Sequence, residues 1–348
     1  MNRFIFVYLS IMLLGNSIYS QDKQYKIRTI AFYNLENLFD TIDNPAKNDE
    51  ASPIMELKTN KAKVYWDKID NLGEVISKIG TKKTNNSPVI MGVVEVENDT
   101  VLKDLINGEY LKDRKYNIIH YDSPDKRGID VALLYQGEYF KPVYHKNYEL
   151  KIYTTDGKRI YTRDQLLVSG YLDGEMIHII VNHWPSKRGG TSSIAFRKKA
   201  AELNLKIMKD VRKKEPNAKI ITMGDFNDDP IEPSFKKILK TKKKKKNVKE
   251  NDLFNPFESM YNKGLNTAGY RDNINLFDQL IVSSQFVTTT KEYDSYKLFH
   301  ANIYNPKFLI ARNGRFKGYP FRSFASGKYT GGYSDHFPTY IYLIKEIK

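Results

Sequence analysis

The feature that most constrains this chain is a series of short apolar runs, rich in β-branched and aromatic residues, that stop at polar residues. Ile27–Tyr33, Val89–Val94, Ile129–Tyr135, Met176–Asn182, Lys219–Met223, Phe277–Val282 and Thr339–Ile344 each read as a strand. Two stretches carry helical spacing instead. In Lys61–Ile79 the residues Val64, Ile69, Leu72, Val75, Ile76 and Ile79 share one face. In Ser193–Lys213 the residues Ala200, Leu203, Ile207 and Val211 do the same, with lysines and arginines opposite. Strands outnumber helices, and the helices interrupt the strand series without regular alternation. The pattern predicts an α+β fold in which sheets pack together with helices outside. The 348 residues suffice for such a core. No proline- or glycine-rich linker and no internal repeat divides the chain, so one domain is expected over residues 21–348.

The first twenty residues read as an address. Met1–Arg3 is a short positive start, Phe4–Leu14 is almost wholly apolar, and Gly15–Ser20 is small and polar with a plausible cut after Ser20. That layout predicts a secretory signal peptide over residues 1–20, the alternative being a first strand or helix of the fold. The apolar stretch is about half the length of a bilayer span, and no later run reaches that length. A soluble exported protein of bacterial type, periplasmic or extracellular, is expected. The chain has no cysteine, which excludes a disulfide framework, cysteine-ligated zinc or iron–sulfur, a thiol nucleophile and a lipobox. Its stability must come from packing.

The informative residues sit where strands end. Asn34 and Glu36 follow Ile30–Tyr33; Glu95 ends Val89–Val94; His183 follows Ile179–Asn182; Asp225 and Asn227 follow Ile220–Gly224. Asp278 precedes Gln279–Val282, and Asp335 and His336 precede Phe337-Pro338. One such residue is ordinarily a turn former. Six ends carrying carboxylate, carboxamide or imidazole would together make an oxygen-rich pocket with two imidazoles. Such a donor set, without thiolate, suits a hard divalent cation: magnesium, manganese or calcium. A hard cation polarises a phosphoryl oxygen, and a nearby histidine can take a proton from water. Phosphoester hydrolysis is the chemistry that follows.

These motifs resemble the endonuclease/exonuclease/phosphatase superfamily, of deoxyribonuclease-I-like type, which includes pancreatic-type deoxyribonuclease, abasic-site endonucleases, bacterial sphingomyelinases and inositol-phosphate phosphatases. The matching stretches are Phe32–Glu36, Gly92–Val96, Asn182–Pro185, Gly224–Asn227, Phe277–Leu280 and Ser334–Pro338, in the family's order and spanning essentially Ile27 to the C-terminus. The resemblance implies a four-layer α/β sandwich, two packed, mainly antiparallel sheets flanked by helices, with the site at one edge. It implies that Glu95 is the principal metal ligand, helped by Asn34, with Asp335 a second metal-side carboxylate. Glu97 is a rival, since it shares a strand face with Glu95. By the same resemblance Asp225 and Asn227 position the nucleophilic water and hold a phosphate oxygen. His336 is implied as general base oriented by Asp278, and His183 as the second histidine at the phosphate. The family's usual Gln-Glu pair reads Val94-Glu95 here, and the tyrosine that abasic-site enzymes place near the phosphate has no clear counterpart.

Other polar residues have two readings each. Asp130 is a turn carboxylate or orients His183. Arg127, Lys187 and Arg188 are surface residues or phosphate contacts. Trp184 is packing or a base-stacking platform. His120, His145, His178 and His300 lack the strand-end context and read as structural. Lys236–Lys249, with five lysines at Lys242–Lys246, is a solvated self-repelling loop or a flexible phosphate-attracting arm beside the site. The net charge of +15 points toward a polyanion, although basic proteins often carry such an excess for solubility alone. The expected activity is therefore a secreted, metal-dependent endonuclease acting on nucleic acid as substrate, as a monomer with no stable protein partner. The alternative is a phosphatase, or a sphingomyelinase-like phosphodiesterase on a small or lipid phosphate. The latter would dock by an exposed apolar hairpin, for which Phe308–Tyr319 is the aromatic candidate.

Overall fold

The computed structural model describes residues 23–270, 273–290 and 292–347; the expected signal peptide lies outside them. Two six-stranded sheets face each other. The first runs Lys297–Ile303, Thr339–Ile347, Gln24–Leu38, Ile90–Val96, Asp130–Gln136, Tyr116–Tyr121. The second runs Leu253–Phe254, Asp278–Ser283, Ile220–Asp225, Glu175–His183, Gln165–Leu172, Phe140–Tyr148. Each contains one parallel pair at its centre, Gln24–Leu38 with Ile90–Val96 and Glu175–His183 with Ile220–Asp225; the other pairings are antiparallel.

Side-chain alternation builds the layers. Ile30, Phe32, Val94 and Leu133 from the first sheet meet Ile179, Val181, Met223 and Leu280 from the second in a buried core between the sheets. The opposite faces are covered by helices. Lys61–Lys78 and Asp99–Asn107 bury Ile69, Leu72, Ile76, Leu102 and Leu105 against Ala31, Tyr33, Met91 and Val93. Ser192–Lys214 buries Ala200, Ile207 and Met208 against Ile180, Ile220 and Ile281. The order helix, sheet, sheet, helix is the expected four-layer sandwich.

The two parallel pairs matter for function because parallel neighbours end on the same edge. Asn34 pairs with Val94, one residue before Glu95, and Asp225 pairs with His183. The first pair is irregular there: the register shifts between Asn34 and Leu38, and between Val94 and Val96 on the other flank of that strand. Glu36, Asn37 and Glu95 all adopt positive φ, near 50–59°. Bulges of this kind re-aim side chains at the end of a ladder. In the second sheet, close strand approach at the edge requires Gly224, where a Cβ would lie 2.3 Å from the Asn182 carbonyl oxygen.

Lys236–Lys249 is no loose arm. Ser234–Leu239 forms a π-helical turn, Lys236 donates to Glu258 at 3.0 Å, and the Lys242 backbone pairs with Leu253 and Asn255. Lys245 donates to the Leu298 carbonyl, and burial lowers its pKa. Leu298 aligns with Leu343, which aligns with Arg28, six residues before Asn34. At about 3.3 Å per residue this anchor lies roughly 20 Å from the polar edge. The run is held along a sheet flank by carbonyl and carboxylate acceptors that charge patterning does not reveal.

Candidate active site

The polar strand ends do converge. Asn34, fully buried, donates its amide to Glu95 Oε1 at 3.2 Å and to Asp225 Oδ2 at 3.1 Å, so one carboxamide ties the edges of the two sheets. Glu95 Oε2 accepts from the Asn37 N–H at 3.0 Å. His183 Nε2 stands 3.6 Å from Asp225 Oδ2 and 3.8 Å from Glu95 Oε1. His336 Nε2 approaches the same Asp225 oxygen at 3.9 Å, and its Nδ1 lies 2.7 Å from Asp278 Oδ2. Asn227, at φ 49°, donates its amide to the Trp184 carbonyl, and its N–H is capped by Asp225 Oδ1.

The electrostatics separate the two imidazoles. Burial, then the Arg163 and Arg127 charges and His336, hold His183 well below the ordinary histidine value, so it is neutral. Burial would lower His336 too, but the Asp278 and Asp225 carboxylates outweigh it and raise His336 well above that value. Asp225 is pushed up to about 7 by burial, with His336 opposing and Asp278 and Glu95 adding to the rise.

Two clusters of carboxylate and imidazole atoms form on this edge, of which the one without the Asp278-bound His336 fits a divalent cation. Ligand atoms of Glu95, His183 and Asp225 lie within 4.8 Å of one another, as do those of Asp225, Asp278 and His336. His183 Nδ1 and Asp278 Oδ1 are buried without a hydrogen-bond partner, so the edge holds unsatisfied polar atoms. The carboxylate and imidazole atoms of Glu95, Asp225 and His183 are donors of the kind that hold divalent metal ions. Glu95, not Glu97, joins the first group; Glu97 instead accepts from the Asp40 N–H at 2.8 Å.

Asp335 joins neither group but stays beside the site, with its Oδ1 3.9 Å from His336 Nε2 and its Oδ2 receiving Arg322 Nη2 at 2.6 Å. The other sequence candidates fall elsewhere. Asp130 does not orient His183; it accepts from the Ser123 N–H at 2.7 Å and meets His120 at 3.2 Å. Arg127 stays 43 % exposed near Asp125, close enough to act on His183. Lys187 is drawn to Asp229 and Glu232, and Arg188 is exposed. Trp184 is fully buried against Phe226 and Phe235 and cannot stack on a base. His178 is a structural link between Ser169 and Glu215.

Sequence reasoning missed three residues. Arg163, buried, donates to the Trp184 carbonyl at 2.7 Å and to Asp125 at 3.2 Å, setting the field at His183. Lys68, buried on the first helix, donates to the Glu36 carbonyl and to Ser323 Oγ. Arg322 bridges Glu36 and Asp335. Burial and the Asp335 charge push the Glu36 carboxyl up to about 7 against Lys68 and Arg322. Arg163-Asp164 opens a strand as Asp278 does, and was open to the same strand-end logic; Lys68 and Arg322 carry no such signal.

A hydrolytic edge of carboxylates and imidazoles on a helix-flanked double sheet is the class that fold and site define. The chain belongs to the Endonuclease/Exonuclease/phosphatase family, whose sequence profile matches residues 29–345. A family protein from Bacteroides thetaiotaomicron superposes with a TM-score of 0.54 at 18 % identity, covering 93 % of this chain and 97 % of that one. A mannosyl-6-phosphatase of the same organism gives 0.53 at 17 % identity, covering 91 % and 99 %. A D. rerio TDP2 structure complexed with single-strand DNA product gives 0.50 at 14 % identity, covering 91 % and 98 %. At these identities the likeness is one of fold. No curated protein matches the chain.

Proposed function

We propose that this chain is a metal-dependent phosphodiesterase of exported type that hydrolyses nucleic-acid backbones. The observation that carries the hydrolytic reading is the single Asp225 carboxylate shared by Asn34, His183 and His336, with Glu95 beside it. Glu95, with Asp225 and His183 near, would hold the cation, which supplies charge neutralisation at a phosphoryl oxygen when bound. Asn34 and Asn227 orient Asp225. The sequence suggested His336 as the base, but a histidine held cationic by Asp278 is a poor proton acceptor. The proton of the attacking water therefore passes to Asp225, whose Oδ2 stands between the two imidazoles, 3.6 Å from His183 Nε2 and 3.9 Å from His336 Nε2. His336, as a cation, and neutral His183 face the phosphate oxygens and stabilise the charge that develops there.

The nucleic-acid substrate rests on the net charge of +15, which favours a polyanion. A sugar monophosphate is the competing reading, since one solved structure of like fold is named for it. The test of the metal role is Glu95→Gln. It should reduce hydrolysis by about two orders of magnitude or more while leaving the circular dichroism unchanged. Magnesium should raise the melting temperature of the wild type and not of the variant. Full wild-type activity in excess chelator would refute it.

A further inference from the structure

The longest acid-free stretch near the site begins after Asp294. From Ser295 to Ser334 the chain carries seven lysines and arginines and no aspartate or glutamate. Its centre is a hairpin. Ile310 bridges Pro320, the Ala311 N–H donates to Tyr319, and the Gly318 N–H donates back to Ala311. The turn between them, Arg312-Asn313-Gly314-Arg315-Phe316-Lys317-Gly318, is exposed throughout. Gly314 and Gly318 have positive φ with nothing within 4 Å of an added Cβ, so the tip stands in solvent. Among the described residues no carboxylate pairs with Arg312 or Lys317.

The base of this hairpin is fastened to the catalytic edge. Tyr319 packs on Gly269, where a Cβ would lie 2.7 Å from its ring, and the adjoining Ala268 bridges to His336. Just past the hairpin, Arg322 grips Asp335, and Ser323 donates through N–H and Oγ to Glu36, which Lys68 supports from behind. The stem is thus fixed within one residue of His336 on one side and two of Asn34 on the other. The tip projects on the order of 10 Å beyond, at about 3.3 Å per residue.

Resting on the proposed nucleic-acid activity, we infer that this hairpin is the substrate-strand subsite. Phe316 offers a platform on which an unpaired base stacks, and Arg312 and Lys317 meet the phosphates on either side of it. Phe316 is 44 % exposed and leans on Tyr319 at 6.0 Å, while Phe308 turns inward onto Tyr333 at 5.4 Å. One presented phenyl ring flanked by cations is the composition of a single-strand groove, where stacking tolerates any base and the charges follow the backbone. A membrane-inserting tip would instead present several apolar side chains together; here Arg315 and Lys317 flank the ring directly.

The experiment measures binding of a labelled single-stranded oligothymidylate by fluorescence anisotropy in excess chelator, where no turnover occurs. The full chain is compared with Phe316→Ala and with Arg312→Gln/Lys317→Gln, alongside phosphatidylserine vesicles. Each variant should melt close to the wild type, since Arg312, Phe316 and Lys317 are exposed and the Phe316 ring touches Tyr319 at the base of the same hairpin. Phe316→Ala should weaken oligonucleotide binding by about tenfold. The double variant should weaken it further and flatten the log–log salt slope by about 1.4, for two phosphates no longer neutralised. Wild-type-like oligonucleotide binding by both variants, or no binding by the wild type, would overturn the inference. So would loss of vesicle binding with oligonucleotide binding intact, which would make the tip a membrane contact. If the variants lose the oligonucleotide but the wild type cleaves no nucleic acid with magnesium, the subsite stands and the nuclease activity falls.

Discussion

At Asp278 and His336 the residue scale decides the chemistry. A buried carboxylate 2.7 Å from an imidazole nitrogen favours the charged ring, because its field and hydrogen bond outweigh the cost of burying that charge. Asp278→Asn removes the negative charge and should therefore lower the His336 pKa. Histidine ring-proton titration by NMR in chelator checks this: the His336 resonance should titrate above the ordinary value of about 6.5 in the wild type and at lower pH in the variant. An unchanged midpoint would separate Asp278 from the site's electrostatics. Residues of this kind were legible in the sequence, since a polar group closing an apolar strand has few reasons to be there. Their partners were not. Arg322 lies thirteen residues before Asp335, Lys68 reaches across from a helix, and Asp130 turns to His120. No local pattern encodes a contact that only the packed sheets create.

The strands and helices named from the sequence emerged close to expectation because their periodicities survive packing: Lys61–Ile79 became Lys61–Lys78, and Ser193–Lys213 became Ser192–Lys214, whereas the short helix Asp99–Asn107 and strands such as Phe140–Tyr148 and Lys297–Ile303 were not anticipated. The lysine run departed from expectation, since its order depends on acceptors brought by Leu298, Leu253 and Glu258. Asp173, in the turn between Gln165–Leu172 and Glu175–His183, shows how the elements are pinned. It binds Arg28 through two hydrogen bonds at 2.8 and 2.9 Å and accepts from the Tyr296 hydroxyl at 2.5 Å, tying the second sheet to the first. Burial would raise its pKa, but those hydrogen bonds and the Arg28 and Lys26 charges hold it at about 2, below the usual 3.8. A depressed folded-state value stabilises above the unfolded pKa and is lost as pH falls toward 2. Asp173→Asn should therefore cost on the order of 2 kcal/mol at neutral pH, with the gap closing between about pH 4 and 2. Urea unfolding across that range measures it; an equal gap at both ends would contradict the assignment.

On the scale of the whole molecule, two sheets packed face to face bring the ends of their central strands, and residues from positions 34 to 336, into one polar row. That layering was readable from the strand series and the order of motifs. Which polyanion the basic surface attracts was not, because charge excess alone does not choose between solubility and substrate. The most direct measurement is cleavage of a labelled single-stranded oligonucleotide at fixed magnesium across rising sodium chloride, beside phosphate release from a sugar monophosphate. A nucleic-acid phosphodiesterase should cut the oligonucleotide with a catalytic efficiency that falls linearly with log salt, by about 0.7 for each phosphate engaged, and should leave the monoester nearly untouched. Brisk, salt-indifferent release of phosphate from the monoester with the oligonucleotide intact would contradict it.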